Sequence, residues 1–224
     1  MPIRMVLFDL VGTILRPAVP VEETYAAAAA RHGLPIDPAV VAENFQRALA
    51  NHGHRLRAGV PSDGDDRVYW REIVGESLAP ALARCPGKAG EIAEELYLRY
   101  GSGEAWRLYP EVRGVLDALQ CAKRPLGILS NWDRRARRVL ADLGISDFFS
   151  ALFLSAEMGV AKPDPRVYRL AAERLGLPPT ALLLVGDDPE SDGTAPRACG
   201  YSTWLVRRPE DDLESLLPWL AGGV

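Results

Sequence analysis

Five short apolar runs, each bounded by turn or polar residues, constrain the fold of this chain more than any other feature. Runs of this length predict buried β-strands. Between the later runs lie helical patterns, and one of them, "DPRVYRLAAERLGL", begins with an Asp cap and a Pro and stops at a glycine. This alternation predicts an α/β fold, a doubly wound parallel sheet with helices on both faces. The predicted strands are 4–10, 125–131, 151–156, 181–187 and 202–207.

The long stretch between the first and second predicted strands has a different character. It contains four helical patterns and no convincing strand, with Pro and Gly between the patterns. We expect a small helical bundle inserted into the α/β domain. The expected boundaries are residues 1–15 and 109–224 for the α/β core and residues 16–108 for the helical domain. Its predicted helices are 21–32, 38–50, 65–79 and 88–100.

The composition limits the classes of function. With 26 basic and 30 acidic residues the net charge is −4, which does not favour non-specific binding to nucleic acid. No apolar stretch reaches the length of a membrane span, and the N-terminal run, which breaks at Asp9, is unlike a signal peptide. Three widely spaced cysteines argue against a disulfide framework or a zinc site. We therefore expect a cytoplasmic protein without a nucleic-acid or membrane partner, and its oligomeric state, monomer or homodimer, stays open.

Polar side chains suited to catalysis follow the predicted strands. In an open parallel sheet, ligands bind beyond the carboxyl ends of the strands, so these positions are where a site is expected. Any one of these side chains alone would be explained by a helix cap, a turn or a solvated surface. Their occurrence at successive strand ends favours a shared site. The candidates are Asp9, Ser130, Asn131, Lys162, Asp187, Asp188 and Asp192.

Two carboxylates at one sheet edge, Asp9 and Asp187, would repel each other unless a divalent cation lay between them. A few hard oxygen ligands suit Mg²⁺, which keeps several waters and shares substrate phosphate oxygens. The ion would screen the charge of Asp9 from an anionic substrate and allow its carboxylate to attack phosphorus. Lys162 would add positive charge, while Ser130 and the turn amides around Gly12 and Thr13 would hold phosphate oxygens.

Four motifs in order resemble those of the haloacid dehalogenase (HAD)-like hydrolase superfamily: "FDLVGTI", "ILSN", "KPDP" and "VGDDPESD". The helical stretch matches the position of that family's cap domain. The resemblance implies a Rossmann-like core, a covalent intermediate on Asp9, phosphate contacts from Ser130 and Lys162, and a magnesium ligand in Asp187. "SNWDRR", "KPDPR" and a second Asp five residues after Asp187 are also similar to the HAD-like hydrolase domain-containing protein 3 group.

The resemblance also suggests supporting roles for two further acids. Asp192 would lie behind the metal ligands or pair with Lys162. Asp188 would either support the metal region or cap the following turn. These alternatives stay open at this point.

Val11 departs from the family's pattern. In typical phosphatases of the family this position is a second Asp, which moves protons and binds the metal through its backbone carbonyl, and Val11 keeps the carbonyl alone. General acid–base catalysis contributes about 10²–10⁴-fold, so its loss predicts a slow or unusual enzyme.

Three interpretations stay open: a Mg²⁺-dependent phosphatase of a small metabolite, a 2-haloacid dehalogenase whose halide leaves without a proton, and a non-catalytic relative that binds a phosphorylated ligand or regulates a partner. The acids at 187 and 188 favour the first.

The run "RRARR" (134–138) has a plainer interpretation than a polyanion site. Ala136, Val139, Leu140 and Leu143 form an apolar stripe at helical spacing. We therefore expect the arginines on the solvated face of the helix.

Overall fold

A five-stranded parallel sheet forms the centre of the computed structural model, which describes the backbone of residues 2–52 and 63–222 and the side chains of residues 2–52 and 66–222. The order β5-β4-β1-β6-β7 contains all five predicted strands and confirms the α/β, doubly wound fold. The strands of the described chain are β1 (Met5–Phe8), β2 (Leu15–Pro17), β3 (Trp106–Leu108), β4 (Leu126–Ser130), β5 (Phe149–Leu154), β6 (Leu182–Gly186) and β7 (Ser202–Leu205).

The described residues form eleven α-helices. Five of them lie between β2 and β3 in the chain, and the other six follow β3. Their bounds are α1 (Val21–Arg31), α2 (Pro38–His52), α3 (Asp63–Ser77), α4 (Ala79–Leu82), α5 (Ala89–Arg99), α6 (Val112–Cys121), α7 (Arg135–Asp142), α8 (Ser155–Met158), α9 (Pro165–Leu175), α10 (Ala195–Ala198) and α11 (Leu216–Ala221).

Both faces of the sheet are buried. Successive residues of a strand point to opposite faces, so Val6 and Phe8 join one hydrophobic cluster while Met5 and Leu7 join another. Helices α6, α7 and α11 contribute to the first cluster, and α8 and α9 contribute to the second. The short apolar runs of the sequence follow from this arrangement, because a strand covered on both faces needs apolar residues at every position.

Helices α1 to α5, here called the helical layer, bury a third cluster of their own. Tyr25 and Ala29 of α1, Val74 of α3 and Leu96 of α5 are at most 2% exposed. The four helices predicted for this stretch are present to within two residues at each end, and the short helix α4 adds a fifth.

One prediction for this stretch was wrong, because two strands are present where none was expected. Leu15–Pro17 and Trp106–Leu108 pair antiparallel as β2 and β3, with Arg16 opposite Arg107. Each strand is three residues long, which is too short to show an alternating pattern, and the pairing joins residues about ninety positions apart. This ribbon brings the start and the end of the helical layer side by side.

Among the described residues, every helix is too short or too polar to pass through a bilayer.

Candidate active site

The carboxyl end of β1 is the centre of the candidate site. β1 lies between β4 and β6, where the connections of the sheet run in opposite directions. The backbone N–H of Asp9 donates to the carbonyl of Val185 at 2.8 Å, which fixes Asp9 directly after the strand. Its neighbours across the sheet edge are Ser130, the buried last residue of β4, and Asp187, directly after β6.

Lys162 connects the nucleophile candidate to a second carboxylate. Its Nζ donates to Asp9 Oδ1 at 2.8 Å and to Asp192 Oδ1 at 2.6 Å, and the lysine is only 3% exposed. Burial alone would lower the pKa of this ammonium, but the charges of Asp9 and Asp192 outweigh it and raise the pKa to about 12. Lys162 therefore stays charged and holds Asp9 in place.

Asp192 is the most buried acid of the site, at 1% exposed. Its Oδ2 accepts from the backbone N–H of Asp188 at 3.1 Å, in addition to the bond from Lys162. Burial raises the pKa of its carboxyl, while the Lys162 ammonium opposes that rise. Of the two alternatives left open for Asp192, the structure shows the pairing with Lys162.

Asp187 is held against the turn that follows β1. Thr13 Oγ1 donates to Asp187 Oδ1 at 2.8 Å. Gly12 adopts a φ of +89°, and a Cβ at this position would lie 2.2 Å from Asp187 Oδ2, so a side chain there would displace the carboxylate. Burial, followed by the nearby charge of Asp9, raises the pKa of the Asp187 carboxyl.

These acids fit a Mg²⁺ site. Asp9, Asp187 and Asp192 each offer a carboxylate oxygen, and the three oxygens lie within 4.8 Å of one another. Lys162 neutralises part of this charge through Asp9 and Asp192, which leaves Asp187 with a raised pKa next to Asp9. A set of hard oxygens with excess negative charge is the donor set that Mg²⁺ prefers. Asp9, Asp187 and the backbone carbonyl of Val11 are the candidates to hold it.

The turn amides predicted to bind phosphate are already engaged. The N–H of Gly12 donates to the carbonyl of Leu15 at 2.8 Å, and that of Thr13 donates to the carbonyl of Leu10 at 3.3 Å. A phosphate contact from either amide would have to replace a hydrogen bond of the turn. Both residues instead position Asp187: the Thr13 hydroxyl donates to its carboxylate, and Gly12 leaves room for it because it has no side chain.

Two further candidates also have structural partners. The Asn131 side chain donates to the Lys162 carbonyl and accepts from the Lys162 N–H, both at 2.8 Å, so it holds the loop that carries the lysine. Asp188 caps the helical turn Pro189–Thr194, with Oδ1 accepting from the N–H groups of Glu190 and Ser191. Between its two open alternatives, the geometry of Asp188 matches the cap.

The expectation for the arginine-rich run was wrong at one position. The Arg135 side chain is only 13% exposed: it forms an ion pair of 2.7 Å with the buried Asp133 and donates to the Tyr97 carbonyl of α5. Its guanidinium also lies 3.6 Å from the Tyr97 ring centroid. The contact between Arg135 and Tyr97, which connects α7 to the helical layer, was missed because the two residues lie 38 positions apart in sequence. The clue in the sequence to a paired arginine was the acid in "WD" (Trp132-Asp133), directly before the run.

A cavity of about 380 Å³ lies between the helical layer and this sheet edge. We call it the aromatic cavity, because Tyr25, Phe45, Trp70, Tyr100, Trp106 and Trp132 line it. Two residues of the site edge, Val11 and Asn131, also belong to its wall. The cavity therefore lies next to the cluster of polar residues around Asp9.

Comparisons with known proteins agree with this architecture. A family model described as haloacid dehalogenase-like hydrolase matches residues 3–200. The chain is 29% identical over 210 residues to haloacid dehalogenase-like hydrolase domain-containing protein 3 of Danio rerio, covering 93% of this chain and 87% of that protein. It is also 32% identical over 146 residues to a phosphoserine phosphatase of Thermus thermophilus, covering 63% and 57% of the two chains.

A solved structure shows the same fold. The L-2-haloacid dehalogenase of Xanthobacter autotrophicus superposes with a TM-score of 0.64 at 23% identity, over 99% of this chain and 84% of that one.

Proposed function

The chain belongs to the haloacid dehalogenase-like hydrolase family, and from the geometry of its site we propose that it is a Mg²⁺-dependent phosphatase that carries the phosphoryl group on Asp9. In this proposal the substrate is a small phosphorylated metabolite. The catalytic residues are Asp9 and Lys162, and Ser130 binds a phosphate oxygen.

The observation that supports this proposal most strongly is the position of Asp187 next to Asp9. Their oxygens lie within 4.8 Å of each other in a largely buried site. A phosphate dianion would be repelled by this pair unless a cation neutralised it. Mg²⁺ held by Asp9, Asp187 and the Val11 carbonyl would supply that positive charge and polarise the phosphoryl oxygens.

In this proposal Asp9 and Lys162 act in both chemical steps. In the first, an oxygen of Asp9 bonds to phosphorus and the ester P–O bond breaks, with its electron pair leaving on the alcohol oxygen. Lys162 stays protonated and holds Asp9 for in-line attack. In the second, water attacks the same phosphorus and the Asp9 O–P bond breaks, which releases inorganic phosphate and regenerates the carboxylate.

Val11 affects both steps, because its side chain cannot move a proton. The leaving oxygen must depart without help from an acid at this position, and the attacking water must do without a base there. We therefore expect fast turnover only for esters with weakly basic leaving groups, together with accumulation of phospho-Asp9.

We also propose that residues 16–108 act as a cap domain over the site. The helical layer has its own hydrophobic cluster. The β2–β3 ribbon places side by side the two points where the chain enters and leaves this layer. A cap attached through one short ribbon can close over the substrate and exclude water.

A 2-haloacid dehalogenase is the second candidate, and Val11 favours it because halide leaves without a proton. The position of Asp187 weighs against it. A 2-haloacid is itself a carboxylate, and nothing in that chemistry requires a second acid against the nucleophile.

The experiment that tests the proposal is hydrolysis of 4-nitrophenyl phosphate with Mg²⁺ or with EDTA, for the wild type, for Asp9→Asn and for Asp164→Asn. Asp164 caps α9 and Asn also caps helices well, so this variant is a matched control. We expect Mg²⁺-dependent turnover that Asp9→Asn abolishes and Asp164→Asn retains. Metal binding without turnover would point to a phospho-ligand-binding relative, and activity on 2-chloropropionate without metal would point to a dehalogenase.

A further inference from the structure

The lining of the aromatic cavity indicates what kind of molecule it accepts. Nineteen of the described residues line it, and apart from the tyrosines the polar ones are Asp66, Asn131, Asp133, Arg135 and Ser155. Asp133 and Arg135 neutralise each other in their largely buried ion pair, and the Asn131 amide is bonded to the backbone of Lys162. The other described lining residues are apolar or aromatic.

Five of the aromatic rings of this wall are packed into a continuous row. Ring centroids are 5.5 Å apart between Tyr25 and Phe45, 6.3 Å between Tyr25 and Tyr100, 5.6 Å between Tyr100 and Trp106, and 4.8 Å between Trp106 and Trp132. Fixed rings of this kind favour flat, apolar ligands.

The tyrosines of the wall do not add negative charge. Burial raises the pKa of the Tyr25, Tyr69 and Tyr100 hydroxyls above its ordinary value, so they stay neutral. Arg135, the one base among the described lining residues, is paired with Asp133, so this part of the wall offers no free cation to an anionic ligand.

Val11 connects the wall of this cavity to the turn that carries Asp9. Its side chain is 42% exposed, belongs to the cavity wall and stands two residues after Asp9. Residue 11 therefore offers a leaving group at Asp9 an apolar side chain rather than a proton donor.

We propose that the substrate is a phosphate monoester of a flat, uncharged aryl or enol alcohol, whose ring fills the aromatic cavity. This inference rests on the proposed function. When the P–O bond breaks, the electron pair leaves on a phenolate or enolate oxygen, which is stable enough to depart unprotonated and takes its proton from water. A leaving group of this kind needs no acid at residue 11, and its flat ring fits the apolar wall.

Matched pairs of esters separate the two parts of the proposal. The isomers 4-methylphenyl phosphate and benzyl phosphate have the same atoms but leave as a phenol and as an alcohol. We expect kcat/KM to favour the phenol ester by at least about 100-fold, the contribution of a missing acid. Phenyl and 2-naphthyl phosphate leave as phenols of similar acidity but differ by one ring. We expect the naphthyl ester to be favoured by at least about tenfold.

Two variants on helix α2 test whether the cavity holds the ring. Leu49 lines the cavity, whereas Val40 is 38% exposed and outside its wall. Leu49→Trp fills the space and is expected to remove most of the naphthyl preference. Val40→Trp places the same bulk in solvent and is expected to leave that preference intact.

Acetyl phosphate separates failure of this inference from failure of the proposed function, because its small leaving group does not need the cavity. Asp9-dependent hydrolysis of acetyl phosphate with no preference within either ester pair would overturn the inference and leave the phosphatase in place. Faster hydrolysis of phosphoserine or phosphoglycolate than of the naphthyl ester would also overturn it. If neither acetyl phosphate nor any ester were hydrolysed, the proposed function and this inference would both be wrong.

Discussion

At the scale of single residues, Val11 is the position with the clearest effect on rate. We expect Val11→Asp to raise kcat/KM for benzyl phosphate by about 10²-fold, because an acid then protonates the departing alcohol. Val11→Asn has nearly the same shape but no transferable proton, so it should stay close to wild type. Steady-state kinetics with both variants checks this, and an equal gain in the two would contradict the role assigned to the missing acid.

Gly12 is the residue whose substitution most directly disturbs the proposed metal ligand. In Gly12→Ala the new Cβ meets Asp187 in a left-handed turn, and we expect Mg²⁺ affinity to fall by about 10–100-fold. Gly33→Ala is the matched control, because its φ is +77° and nothing lies within 4 Å of its Cβ position. That control should cost about 1–2 kcal/mol of stability and leave Mg²⁺ affinity unchanged.

Calorimetric titration with Mg²⁺ and urea unfolding measure the two effects separately. An equal loss of Mg²⁺ affinity in both glycine variants would show that backbone strain, rather than contact with Asp187, is responsible.

Asp187 also predicts how metal binding depends on pH. Its pKa is raised by burial and by Asp9, so as the pH falls it takes up a proton earlier than an exposed aspartate does. Mg²⁺ requires the ionised carboxylate. We therefore expect Mg²⁺ affinity to weaken on acidification and to level off once Asp187 is ionised, in titrations over roughly pH 5 to 8. Affinity that stayed constant, or rose at acid pH, would contradict this account.

At the scale of secondary-structure elements, the Asp133–Arg135 pair is the contact whose loss should cost most. Arg135→Met leaves the buried Asp133 carboxylate without its partner and breaks the bond to α5, so we expect a loss of about 3–5 kcal/mol in urea unfolding. Arg138→Met on the same helix is the control, because its side chain is 74% exposed and its loss should cost less than about 1 kcal/mol. Adding Asp133→Asn to Arg135→Met should recover part of the stability, and no recovery would argue against an uncompensated charge.

The elements that could be predicted from the sequence are those with a local pattern. β1 and β6 are apolar runs, and α9 has both of its caps in the sequence. β2 and β3 have no such pattern, since each exists only because the other lies beside it. Helix α7 was predicted correctly, but the direction of Arg135 depends on Tyr97 of another helix.

At the scale of the whole molecule, the site combines residues spread from Asp9 to Asp192. Their convergence was predictable, because parallel strands bring their carboxyl ends to one edge and four motifs in order identified that edge. The roles of individual members were less predictable. Asn131 and Thr13 are bonded to other members of the site and Asp188 to the turn that follows it, and only the packed structure shows which atoms are already in use. The aromatic cavity also depends on how distant segments pack together.

The most direct test of the central claim is to search for a phosphoryl group on Asp9 during turnover. Protein mixed with 2-naphthyl phosphate and Mg²⁺ is quenched in acid within the first turnovers, and intact and peptide masses are measured. We predict one added phosphoryl group on the peptide that contains Asp9, absent in Asp9→Asn and less abundant in Val11→Asp, where water attack is assisted. Turnover without any phosphorylated peptide in the wild type would contradict the account.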